Sequence, residues 1–398
     1  MNEELWGGVK YARLCARVDF GAYEQIVFWE TTERYGEYFV TETSDSFLIG
    51  ILHWCMANGY DISCDAPVSE DILYQLNETF LPSIAKNVLH FPKIRAQVTA
   101  KFPDSANAIG GGMSCGIDSL YMAARHHRSR YDSYNLTHLL ISNVGAFINS
   151  TQFEWQRRAA ENVASEMGLP LIAIESNFSQ LFPESHIVSH TYRNLAVAHA
   201  LGKLFGVFYY SSSGEDLTSF SVISDEKSDC AHYDLLTCSC LSTRKLRLYS
   251  DGASVRRFEK TRSICSTSLA QNHLHVCVAD SGENCGLCMK CRRTLLTLDA
   301  LDALDSFGKV FDIAEYRRHR TGHLAYLYAQ HLLGEKGDRQ LNEAFLKLKK
   351  DINLYIRLKG FVLAIRGLLS RNTFMKRAHL LVRNFLSSLF SKDGMTNK

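Results

Sequence analysis

The chain has 398 residues and a formal net charge of +2, with 46% hydrophobic and 22% charged residues. That balance supports a buried core and excludes a disordered chain. The near-neutral charge gives no whole-molecule argument for a nucleic-acid partner and leaves a local basic patch open. The opening MNEELWGGVKYARLC shows no basic stretch leading into an apolar run, so no secretory signal is expected. No run of about 18 apolar residues predicts a membrane span. Most of the twelve cysteines stand singly, as at Cys15, Cys55, Cys64 and Cys230. They read as reduced thiols, and a cytoplasmic location is expected.

Within residues 1–103, KYARLCARVDF and GEYFVTET alternate apolar and polar residues and predict strands. DSFLIGILHWCMANG predicts a helix with Asp45 or Ser46 as its cap, ended by a glycine. This stretch is expected to be a separate α+β domain. From residue 104 the period changes. NAIGGGMS predicts a strand, DSLYMAARHH a helix, LTHLLISNVG a strand, and QFEWQRRAAENVASEMG a helix stopped at Gly168. LPLIAIES predicts a strand, TYRNLAVAHALGKLFG a helix stopped at Gly206, and VFYYSSSGED a strand entering a loop. This β-α alternation over 104–270 predicts an α/β domain with a parallel, doubly wound sheet. Ligands of such sheets bind at the carboxyl ends of the strands, beside the switch point. Residues 271–304 hold a cysteine cluster, and 305–398 read as successive helices.

The strand-to-helix turn at MSCGIDS can aim backbone amides at an anion. A Walker A loop needs Lys where Asp118 stands, so that motif is excluded. A G-x-G-x-x-G fingerprint would require Gly110, Gly112 and a glycine at position 115, which is Cys. Asp132, which would be its acidic partner, reads as a loop residue. The segment instead resembles the Ser-Gly-Gly-x-Asp-Ser pyrophosphate loop of the N-type ATP pyrophosphatases. Ser114, Gly116, Asp118 and Ser119 match, and Cys115 replaces the first glycine. The resemblance implies an adenine nucleotide alpha hydrolase-like sheet and binding of ATP with Mg2+ at Ser114, Cys115, Gly116, Asp118 and Ser119. It places Asn143, Val144 and Gly145 beside the adenine, takes Arg193-Asn194 as the family's Arg-Asn helix, and implies that Asn143, Gly145, Arg193 and Asp216 bind the nucleotide. Glu215 and Asp216 fall in its acidic loop. Arg257, Glu259 and Lys260 fall where a basic residue reaches the phosphates, so Asp118, Ser119, Arg257 and Lys260 are expected to carry the chemistry.

CVADSGENCGLCMKC spaces Cys277, Cys285, Cys288 and Cys291 as C-x7-C-x2-C-x2-C. Four thiolates so close together can close a tetrahedral site, with Zn2+ favoured over an iron–sulfur cluster. No open position is left, so the expected role is structural. A pyrophosphate loop followed by such a cluster resembles the 7-cyano-7-deazaguanine synthase family over roughly residues 105–300. The resemblance implies activation of a small-molecule carboxylate as an acyl adenylate for attack by a nitrogen nucleophile. Two alternatives stand beside it. One is sulfur transfer to a tRNA base, with Cys115 activated by the helix N-terminus. The other is a non-catalytic nucleotide-binding scaffold with a decayed loop.

LYIRLKGFVLAIRGLLSRNTFMKRAHLLVRNFLSSLF is apolar and basic. It can pack on the sheet domain with its basic face in water, or meet a protein partner or an anionic surface. The sequence allows a homodimer and does not fix one.

Overall fold

A computed structural model describes residues 10–84, 90–147, 149–213, 229–278, 282–334 and 337–370. The chain divides into two compact units, the first ending at Asn284 and the second beginning at Cys285.

The first unit is built on strands β1 Tyr11–Asp19, β2 Glu24–Thr32, β3 Ile62–Ser69, β4 Ile94–Thr99, β5 Ala108–Gly112, β6 His138–Ser142, β7 Leu171–Ser176, β8 Phe205–Ser211 and β9 Arg247–Asp251. Among the described residues the main sheet has the order β1-β2-β7-β6-β5-β8-β9. Strands β7, β6, β5, β8 and β9 run parallel, each joined through a crossover. The expected α/β class with a mostly parallel sheet is therefore present. The chain leaves β5 toward β6 and β7 on one side and returns to β8 and β9 on the other. The carboxyl end of β5 is thus the switch point, where a ligand crevice opens in open parallel sheets.

The helices that frame this crevice are α1 Asp45–Asn58, α2 Ile117–His126, α3 Ser150–Met167, α4 His186–Ala200 and α5 Arg257–Ile264. Helix α3 stops at Gly168 as its sequence predicts. Its N-cap is Asn149, whose side chain accepts from the Gln152 amide, an arrangement that satisfies one orphan donor of the first turn. Helix α4 ends at Ala200, earlier than the expected Gly206, which lies inside β8. Leu201 and Leu204 are buried in the turn between them, so the apolar period runs on past the helix.

The N-terminal stretch does not stand apart as a domain. β1 and β2 form an antiparallel hairpin, and β2 pairs antiparallel with β7 through Trp29 with Ser176 and Glu30 with Glu175. Trp29 is fully buried and stacks on Phe178 with ring centroids 4.2 Å apart. Strands β3 and β4 make a small parallel pair of their own. GEYFVTET is not a strand: it follows a short helix, Glu33–Gly36, as irregular chain. Phe39 and Val40 are buried there, and the Val40 amide donates to the Ala200 carbonyl at 2.9 Å.

The second unit is helical, with α6 Met289–Ala300, α7 Arg320–Leu333 and α8 Leu354–Ser370 as its long elements. Asp299 on α6 is gripped by Arg320 of α7 at 2.7 Å and by the Tyr316 hydroxyl at 2.8 Å. Leu354, Leu358, Phe361, Ile365 and Leu368 are exposed along α8. The basic stretch beyond residue 370 lies outside the described residues. No helix among the described residues is long and apolar enough to cross a membrane.

Candidate functional site

Strand β5 runs into a turn at Met113–Gly116, and α2 begins at Ile117 with Gly116 as its N-cap. Cys115 adopts φ +54°, the left-handed region that costs a side-chain-bearing residue about 1–2 kcal/mol. This explains why a glycine would be the natural occupant. Cys115 is tolerated because its side chain is fully buried, turned into the protein and away from the crevice. Burial also pushes its thiol up to about 12. This runs against the expectation of a lowered, reactive thiol at the helix N-terminus: burial raises it more than the hydrogen bond with Gln156 lowers it. The turn is held from behind. The Gln156 amide donates to the Ser114 carbonyl at 2.6 Å, and the His275 amide donates to the Cys115 carbonyl at 2.8 Å.

On the crevice side, the hydroxyls of Ser114 and Ser119 lie 3.3 Å apart, and Ser119 Oγ donates to the Gly116 carbonyl at 3.1 Å. The first turn of α2 contributes unpaired amides and the positive end of its dipole, which favour an anion. Asp118, in that same turn, is met by two cations from α5. Its carboxylate accepts from Lys260 Nζ at 3.1 Å and from the Arg257 guanidinium. Lys260 Nζ also donates to the Ser212 carbonyl at 2.8 Å, and Arg257 to the Ser213 carbonyl at 3.1 Å. Three elements thus converge: the start of α2, the chain leaving β8, and α5. Burial works against the Asp118 charge, but Arg257 and Lys260 outweigh it and hold the carboxyl below its ordinary range. Lys260 is fully buried, a position a lysine takes only when its charge is paired.

A cavity of about 200 Å³ opens beside the turn, lined among others by Ser114, Ser119, Ser142, Asn194, His190 and Tyr210. Ser142 Oγ donates to Asn194 Oδ1 at 2.8 Å, which ties the end of β6 to α4. Asn143 donates to Glu175 Oε2 at 2.8 Å and lines the neighbouring hollow around Glu30 and Phe147. Gly145 has φ +107°, and a Cβ there would lie 3.1 Å from both Arg193 Nη1 and Ser179 Cβ, so only glycine fits this turn.

Arg193 is fully buried. Its guanidinium donates to the carbonyls of Val144 and Phe182 at 3.2 and 2.6 Å and to Glu184 at 3.0 Å. Glu184 in turn receives His53 at 2.7 Å. Arg193 therefore fixes the Asn143–Gly145 turn from beneath. Glu215 and Asp216 lie outside the described residues. The sequence reading missed His190 and Tyr210 on the cavity wall. The available signal was His186 and His190 spaced i, i+4 just ahead of Arg193-Asn194, which puts both on one helical face.

The second expected centre is present as a group. One sulfur from each of Cys277, Cys285, Cys288 and Cys291 lies within 4.8 Å of the others. The Cys288 amide donates to Cys285 Sγ at 3.3 Å, and the Cys291 amide donates to Cys288 Sγ at 3.4 Å. Amides aimed at sulfur suit thiolate ligands, and Gly286 at φ +71° makes the tight turn between them. Asn284 supports the approach to Cys277: its side chain accepts from the Val276 and Cys277 amides and donates to the Leu274 carbonyl at 2.8 Å. The four cysteines can hold a metal ion such as zinc. No family model matches this chain, and neither a curated protein nor a solved structure matches it.

Proposed function

We propose that the chain is an ATP-dependent enzyme of the pyrophosphate-loop class. It activates a carboxylate by splitting ATP between its α- and β-phosphates. More narrowly, the reading is a relative of 7-cyano-7-deazaguanine synthase that joins a nitrogen nucleophile to a small carboxylic acid and releases AMP and pyrophosphate.

The observation that carries this is the meeting of Asp118, Arg257 and Lys260 at the mouth of the turn, beside the paired hydroxyls of Ser114 and Ser119. The turn lies at the carboxyl end of β5, where the strand order switches. Amides and two cations converge where the negative charge of a departing pyrophosphate would develop. Mg2+ would supply charge neutralisation for the phosphates, near Asp118 and Ser119. Asn143 and Gly145 would border the base, and Arg193 holds their turn in place. A carboxylate is a poor electrophile; transfer of AMP to it creates the leaving group that nitrogen attack requires. A bound Zn2+ at the four cysteines would brace the chain locally and take no part in the reaction. Sulfur transfer through Cys115 is less well supported, because its thiol is buried and neutral.

The test is pyrophosphate release from ATP and Mg2+ by zinc-loaded protein against a panel of carboxylates that includes 7-carboxy-7-deazaguanine. Release that depends on one carboxylate and is lost in Asp118→Ala is the expected result. Absence of both release and ATP binding by calorimetry would overturn the proposal.

A further inference from the structure

Helix α8 is apolar on two faces, and only one of them has a partner among the described residues. At about 100° per residue, Ile356, Gly360, Ala364 and Gly367 share the face turned to α7. Ile356 and Ala364 are buried there. Gly360 is pressed so close that a Cβ would lie 2.7 Å from the Ala325 carbonyl oxygen. Its lack of a side chain lets the two backbones approach, and this face fixes α8 to its unit.

The other face is a ridge of Leu354, Leu358, Phe361, Ile365 and Leu368. These residues recur every three or four positions, which keeps them within an arc of about 80°. They are 73%, 59%, 55%, 36% and 45% exposed. The ridge runs for about 21 Å. A continuous apolar surface of this kind marks an interaction site.

Charge decides what covers it. Arg357 falls at one margin of the ridge. Lys359 and Arg366 fall at the other, beside Tyr355, with Lys359 Nζ 5.6 Å from the Tyr355 ring centroid. Between residues 352 and 392 the sequence has eight Lys and Arg and no Asp or Glu. The whole chain carries only +2, so the rest of it is acidic overall. A second copy of the ridge would bring like charges together along both margins. A nucleic acid would meet the cations and leave the leucines and Phe361 in water. A surface with anions in its outer layer and hydrocarbon beneath satisfies ridge and margins together. The long cationic side chains reach the anions while their stems lie along apolar ground.

We propose that α8 lies flat on a membrane surface rich in anionic lipid, with its Leu354–Leu368 ridge at the headgroup–acyl boundary and Arg357, Lys359 and Arg366 on the anionic headgroups. The helix rests in the interface and does not span it. One helix of this kind binds reversibly. The inference is independent of the adenylation reading: it concerns where the chain works, whatever reaction the first unit performs.

The experiment uses the full chain with vesicles of pure phosphatidylcholine and vesicles with phosphatidylserine added. Co-sedimentation with the second kind, weakened by salt, is the expected result, with none on the first. Phe361→Trp supplies a reporter whose emission should move to the blue on binding. Leu358→Glu combined with Phe361→Glu should abolish binding. Arg357→Gln combined with Arg366→Gln should weaken it by about 10–30-fold. Both pairs alter solvent-facing side chains, so urea midpoints should stay at the wild-type value. Wild-type protein that ignores phosphatidylserine vesicles at low salt would overturn the proposal and leave an acidic protein as the partner. Undiminished binding by the double glutamate variant would also overturn it. A dimer in sedimentation velocity that the glutamate pair dissolves would assign the ridge to a second copy instead. Blue emission from the Phe361→Trp monomer without vesicles would assign it to another part of this chain.

Discussion

Asp118 and Lys260, 142 residues apart in sequence, meet at 3.1 Å, and the lysine has no exposed surface. Removing one member of such a pair leaves the other charge buried without its partner. Asp118→Ala is expected to cost about 3–5 kcal/mol of stability, read as a lowered midpoint in urea. It should also abolish ATP binding, whereas Lys260→Met should weaken binding with the turn still formed. Wild-type stability in Asp118→Ala would show that the pair contributes nothing.

The same carboxyl sets an acid limit. Its folded-state value lies below the ordinary 3.8. The ionised form is therefore favoured by folding, and the stability it contributes is complete above about pH 4 and lost as pH falls through the folded value. Asp118→Asn should flatten that part of the stability–pH curve. An unchanged acid limb in the asparagine variant would assign acid sensitivity to other groups.

The Cys115 thiol, raised to about 12 and fully buried, should resist iodoacetamide in the native protein at pH 8. Exposed Cys15 and part-exposed Cys265 should be alkylated under the same conditions. Peptide mass spectrometry reads all three. Early labelling of Cys115 in folded protein would revive a reactive role for it. Cys115→Gly should fold well, because glycine relieves the left-handed backbone while losing only a small buried side chain.

Gly145→Ala places a methyl against Arg193 and Ser179 in a backbone conformation that alanine avoids. It should cost more than about 1 kcal/mol and weaken ATP binding by shifting the Asn143 turn. Thermal unfolding and calorimetry check both. A neutral effect would mean that this turn adjusts freely.

Purified protein should carry about one zinc per chain, since four thiolates complete a tetrahedral shell. Cys288→Ser should lower the metal content measured by mass spectrometry. The serine hydroxyl can still accept from the Cys291 amide as the cap of α6, so the loss of metal should be seen with the helix start retained. Retention of full zinc in this variant would place the ion elsewhere.

Much of the parallel sheet was legible because each strand and helix carries its own period and its own stop. Helix α3 with Gly168 is the clearest case. The turn was legible from six residues, because glycine after an apolar strand and Ser and Asp at the start of a helical period mark a strand-to-helix turn. What could not be read was set by distant partners. β2 belongs to the sheet only because β7 offers it an edge. The alternation in GEYFVTET reflects burial against the end of α4 and not strand pairing. Arg193 looked like a ligand-binding residue, yet its guanidinium is taken up by two carbonyls and Glu184. His190 and Tyr210 meet only in the fold, across two elements.

The convergence of α2 with α5 also has a consequence in time. Asp118 leaves the ribosome long before Lys260 is made, by roughly ten seconds at ordinary elongation speeds. Until then the first strands and helices can assemble, but the aspartate has neither of its cations. A nascent chain that stops short of α5 would carry the glycine-rich turn without its countercharges. The cluster of Asp118, Arg257 and Lys260 is thus completed late in synthesis, and a truncated product would lack it.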